Sequence, residues 1–96
     1  MDFTWVKSLL YSCGLEILVA LDDFLEFKGA VVDRNGNLFD LEGSIDLDQD
    51  NNAIHYSLNF FDIKKNYEYD AFIGTINEPT ASDIIQLIQP DFIECA

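Results

Sequence analysis

The chain has 96 residues, 18 of them acidic and five basic, so its formal net charge is −13, yet 49% of its residues are hydrophobic. Disorder needs high charge together with low hydrophobicity; only the first holds, so composition predicts a folded chain, and the length predicts one domain over residues 1–96. The missing basic footprint argues against direct binding of nucleic acid and against anionic membranes.

The acids do not form a tail. Residues 1–48 hold ten acids and three bases, and residues 49–96 hold eight acids and two bases. Such an even spread assigns the charge to a folded surface. No apolar run is long enough to span a membrane, and Lys7 interrupts the one candidate signal region. Leu10-Tyr11-Ser12-Cys13 has the outline of a lipoprotein cleavage site but lacks a signal before it. Cys13 and Cys95 are the only cysteines and form no Cys-x-x-Cys; a reduced, cytoplasmic chain fits better than the alternative of one disulfide in a secreted protein.

The first segment reads as a helix. Asp2 can cap it, Val6, Leu9, Leu10 and Cys13 recur at helical spacing, and Gly14 is placed to end it. Trp5 either packs or meets a partner. The helical period runs on through Ile17, Leu21 and Phe24, so residues 15–21 are read as a second helical stretch, with a short buried strand as the alternative.

From Leu25 the period becomes two. Leu25, Phe27, Val31, Phe39, Leu41, Ile45 and Leu47 share one parity around the turn signal Asp33-Arg34-Asn35-Gly36-Asn37. A two-residue loop would mix apolar and acidic residues on one face. A three-residue loop, Arg34-Asn35-Gly36, pairs Val31 with Phe39, Gly29 with Leu41, Phe27 with Gly43 and Leu25 with Ile45. It also gives Gly36 the left-handed conformation of a bulge. The third strand carries Ile54, Tyr56, Leu58 and Phe60. Through a loop of Asp62-Ile63-Lys64-Lys65 it leads to a fourth, with Tyr67, Tyr69, Ala71 and Ile73 inward; this pairs Phe60 with Tyr67 and Leu58 with Tyr69. Phe27, Phe39, Tyr56, Phe60, Tyr67 and Tyr69 then read as core.

Glu78-Pro79 breaks the last strand. Thr80-x-x-Asp83 forms a capping box with Asp in place of Glu, Ala81, Ile84, Ile85 and Ile88 make an apolar stripe, and Pro90 stops the helix. The expected fold is α+β, a four-stranded antiparallel β-meander with N-terminal and C-terminal helices packed on one face.

The opposite face is the candidate site. Its outward positions collect Asp40, Glu42 and Asp46, continuing into the loop acids Asp48 and Asp50, with Glu68 and Asp70 two strands away. Alternate residues along a strand lie about 6.8 Å apart, close to the spacing of phosphates along one DNA strand. Phe61 and Phe72 are expected outward beside the acids, where aromatics anchor interfaces. So many uncompensated charges destabilise the chain by self-repulsion, which a partner would offset.

Other chemistry is weakly supported. Asp46-x-Asp48-x-Asp50 resembles the start of a calcium loop, but position six is Asn51 and position twelve is Ser57, so the EF-hand pattern fails and weak, nonspecific calcium affinity at a solvated hairpin loop is the alternative left open. His55 is the sole histidine, which leaves no zinc set, and no nucleophile elbow or phosphate loop accompanies it. No metal, cofactor or enzymatic activity is expected. In size, charge and element order the chain is similar to phage and bacterial inhibitors that mimic DNA, such as anti-CRISPR and anti-restriction proteins, and to acidic immunity proteins of nuclease toxins. That resemblance implies a basic nucleic-acid-binding protein as partner. The alternative is a non-mimetic interaction module or accessory subunit, or a homodimer formed through an edge strand or the helical face, with the acidic face merely an ordinary solvated sheet surface.

Overall fold

The structure is a computed structural model that describes residues 3–32, 35–64 and 67–88, with residues 67–70 described by their backbone alone. Helix α1 (Thr4–Ser12) leads into β1 (Glu16–Leu21), β2 (Phe24–Val32), β3 (Leu38–Asp48), β4 (Ala53–Asp62) and β5 (Tyr67–Asn77), and α2 (Ala81–Ile88) follows. The strands form one antiparallel sheet whose spatial order is the chain order. The α+β class holds, with five strands among the described residues in place of the expected four.

Helix α1 begins after Phe3, which makes no side-chain cap bond, and Asp2 lies outside the described residues. Its end follows the sequence reading. Gly14 takes φ +85°, its N–H donates to Tyr11 O at 3.0 Å, and the Leu15 N–H donates to Leu10 O at 3.1 Å. This double closure is a Schellman motif, and it buries Leu15 with Leu10. It also corrects the expectation for residues 15–21. The left-handed turn at Gly14 reverses the chain, and the next residues pair with β2 as a strand instead of continuing the helix. The β-branched Ile17 and Val19 suit that role, and the spacing of Ile17, Leu21 and Phe24 is a coincidence of composition.

The β2–β3 register is the expected one: Val31 faces Phe39, Gly29 faces Leu41, Phe27 faces Gly43 and Leu25 faces Ile45. Gly36 has φ +84°, while residues 33 and 34 of the predicted loop lie outside the described residues.

The β4–β5 register differs. Asp62 ends β4 opposite Tyr67, so the connection is residues 63–66, and an irregularity falls between Phe60 and Phe61. Leu58 then faces Phe72 and Phe60 faces Asp70. The shift reverses the parity expected after the bulge. Phe72, Gly74 and Ile76 lie half-buried, whereas Ile73 is 83% exposed. Both parities of β5 offer apolar residues, so pattern alone does not choose. Packing does: the Phe72 ring meets Phe60 edge-on at 5.9 Å, and the Tyr56 ring lies over Gly74, where a Cβ would come within 2.7 Å of Tyr56 Cζ.

Helix α2 has the predicted box. The Asp83 N–H donates to Thr80 Oγ1 at 3.3 Å, and the Thr80 N–H donates to Asp83 Oδ2 at 2.9 Å. Ile84 and Ile88 are buried, Ile85 is half-buried and Ala81 is exposed; Pro90 lies outside the described residues. Val6 and Leu10 of α1 and Ile84 and Ile88 of α2 join Phe27, Leu41, Ile45, Leu58 and Phe60 in one core, so both helices cover the same face. Trp5 packs against this core, edge-on to Phe3. Among the described residues, no helix covers the other face.

Candidate protein-binding face

Strand β3 builds the centre of the open face. Its buried row, Phe39, Leu41, Ile45 and Leu47, forces the alternate residues outward. Asp40, Glu42 and Asp46 are exposed, and Asp48 is half-buried. Register sets their neighbours. Asp40 lies between Ala30 and Phe61, Glu42 between Lys28 and Asn59, and Asp46 between Phe24 and His55. Among the described residues, none of Asp40, Glu42 and Asp46 is in an ion pair. The acidic row predicted from strand parity is therefore present; Lys28 stands opposite Glu42 in register, while Asp40 and Asp46 have no Lys or Arg directly across from them.

Its far end is organised by a hydrogen-bonded row that sequence reasoning missed. His55 Nε2 lies 3.2 Å from Asp48 Oδ2, and Nδ1 lies 2.8 Å from Thr75 Oγ1. An ionised carboxylate only accepts, so Nε2 carries the proton and, in the neutral ring, Nδ1 accepts from the Thr75 hydroxyl. Asn51 donates twice to Asp48, from Nδ2 at 2.9 Å and from its backbone N–H at 3.3 Å. These bonds, the Asn51 side chain foremost and His55 next, hold the Asp48 carboxyl below its ordinary range. The order hydroxyl, imidazole, carboxylate is that of a nucleophilic triad, but here it spans an open strand surface with His55 and Thr75 exposed. Its effect is to fix Asp48 as an anion at the end of the row.

Asp22 and Asp23, in the turn between β1 and β2, join this end. Gln49 Nε2 donates to Asp22 O at 3.1 Å and the Leu47 N–H donates to Asp23 O at 2.8 Å. Asp22, Asp23, Asp46, Asp48 and Asp50 thus line one depression with His55. The signal for the added pair was an Asp-Asp step between two apolar runs, hidden by reading the first run as helix. Among the described residues, no group of three or more His, Cys, Asp or Glu side chains is placed to hold a metal ion.

The apolar part of the candidate site is partly redrawn. Phe61 faces outward opposite Asp40, as expected, and is 37% exposed. Phe72 does not: it packs against Phe60 on the core side, for the register reason above. Glu68 stands opposite Phe61 and Asp70 opposite Phe60 in the backbone register, while their side chains lie outside the described residues. Leu18, Val19 and Leu21 of β1 are exposed as well. With Phe24, Leu18 bounds a hollow of about 320 Å³ floored by Gly43, Ser44 and Ser57 and flanked by Glu26 and Glu42.

No protein-family model matches the chain, and no curated protein or solved structure matches it. Among the described residues, no helix is long and apolar enough to cross a membrane. Cys13 is exposed and free, and Cys95 lies outside the described residues.

Proposed function

We propose that the protein is a non-enzymatic inhibitor whose open sheet face imitates a polyanion and occupies a basic groove on a nucleic-acid-binding protein, such as a phage-defence nuclease. One observation carries this reading: Asp40, Glu42 and Asp46 form an exposed row along a central strand, without ion pairs among the described residues, and Asp48 extends it. Charges about 6.8 Å apart at Asp40–Glu42 and Asp46–Asp48, with the uncharged Ser44 between the two pairs, present an extended anionic line to a phosphate-binding groove. The depression holding Asp22, Asp23 and Asp50 enlarges the field at one end, which favours steered, salt-sensitive association. Phe61, beside Asp40, supplies apolar contact area.

The test is a capture from host lysate at low and high salt, with bound proteins identified by mass spectrometry. A basic nucleic-acid enzyme retained only at low salt is the expected result. Association of that partner with a D40K/E42K/D46K variant should then slow by about tenfold or more at low salt. Equal rates for variant and parent would remove the row from the interface. The exposed Leu18, Val19, Leu21 and Ile73 favour a second reading, a non-mimetic interaction module, for which capture would be insensitive to salt.

A further inference from the structure

Strand β1 ends the sheet: β2 pairs with one of its edges, and among the described residues no strand pairs with the other. An edge of this kind presents a row of backbone N–H and C=O groups to any extended chain that fits. Residues 17–21 carry no charge, while Glu16 precedes them and Asp22-Asp23 follows. Leu18, Val19 and Leu21 are 44%, 37% and 61% exposed. The pairing steps from Ile17–Phe27 to Val19–Glu26, so Leu18 is the extra residue of a bulge and turns onto the outer face. An apolar strand is thus held at the rim of an acidic sheet with acids at both of its ends.

We propose that β1 accepts an extended segment of a partner protein as a sixth strand, and that this segment is apolar in its middle and carries Lys or Arg at both ends. The charges choose the occupant. In an antiparallel pairing of two copies, Glu16 of each would lie beside Leu21 and the Asp22-Asp23 turn of the other, twice over by symmetry. A parallel pairing would set acid beside acid in register. Like charges across a strand pair destabilise it, so the edge rejects its own kind. A segment with basic ends meets a carboxylate at each end in either direction. The bulge adds local twist, which disfavours indiscriminate pairing with flat strands and leaves side-chain charge to set selectivity. The proposal is independent of the acidic row on β3, since this edge exists whether or not that row has a partner.

The test uses the full chain, 15N-labelled, titrated with three capped peptides: KRVTVRK, its acidic counterpart EEVTVEE, and KRVPVRK, which keeps the charge but cannot sustain a ladder. KRVTVRK should shift the amide signals of residues 16–21 most strongly, and the other two peptides should bind about tenfold more weakly or worse. Equal affinity for KRVPVRK would reduce the effect to bulk charge and overturn the proposal. So would absence of shifts at residues 17–21 at about 1 mM peptide, or broadening of those signals with protein concentration alone, which would make a second copy the occupant. Failure here leaves the inhibitor reading standing, and a lysate capture that finds no basic partner leaves this edge untouched.

Discussion

If the acids of β3 serve a partner, the isolated fold should gain stability when they are reversed. Asp40 and Glu42 are alternate residues of one strand, as are Asp46 and Asp48. Coulomb's law gives two like unit charges about 6.8 Å apart in water a repulsion of ~0.6 kcal/mol, which screening at 0.1 M salt lowers to ~0.3 kcal/mol. A D40K/D46K variant turns both repulsions into attractions of the same size, so it should be more stable by ~1.2 kcal/mol at 0.1 M salt. For a domain of this size that corresponds to a rise in Tm of about 5–10 °C. Glu42 is best left in place, because Lys28 stands opposite it and its reversal would create a new repulsion. Differential scanning calorimetry in 0.1 M and 1 M NaCl is the assay. In 1 M NaCl, where the screening length is about 3 Å, the gain should fall to roughly a tenth of its coulombic value. The neutral D40N/D46N variant should show about half the effect, which separates charge from strand propensity. A variant no more stable than the parent at 0.1 M salt, or a gain unchanged at 1 M, would refute the reasoning.

Three further outcomes follow from the geometry. Phe72→Ala should destabilise the fold by about 3 kcal/mol in urea unfolding, because the ring packs on Phe60, whereas Phe61→Ala should lose less than about 1 kcal/mol. Thr80→Ala removes the hydroxyl that caps α2 and should lose about 1 kcal/mol by the same measurement. Asp48 has a lowered folded pKa, so its contribution is complete above the ordinary aspartate range and is lost as pH falls through the folded value. Urea unfolding at pH 7 should therefore show Asp48→Asn less stable than the parent, and the difference should shrink below about pH 4.

The legible parts of the fold were those where local chemistry admits one solution. Gly36 and the shared parity of Phe27, Val31, Phe39 and Leu41 leave one register for β2 and β3, and the structure has it. Thr80 and Asp83 announce a helix start through bonds made within four residues. The misread parts depend on contacts distant in sequence. Ile17, Leu21 and Phe24 satisfy a helical spacing, and only the reversal at Gly14 and the available edge of β2 make them a strand and its successor. In β5, Tyr67, Tyr69 and Ile73 on one parity compete with Phe72 and Ile76 on the other. The choice falls to the fit of Phe72 on Phe60 and of Tyr56 over Gly74. The acidic row was readable because it follows from β3, whose parity is unambiguous. The Asp22 and Asp23 contribution was not, because it needs β1 to be a strand.

Spatial order equal to chain order has a kinetic consequence. Each strand reaches its neighbour through a connection of two to five residues. Every closure therefore carries a small loop entropy, and the sheet can grow one hairpin at a time without waiting for distant segments to meet. The contact of α1 with α2 is different, since it joins the first and last elements across the whole meander. The acid-bearing strand thus belongs to the part of the molecule assembled from local encounters, and the docking of the two helices is the step that the full length of the chain slows.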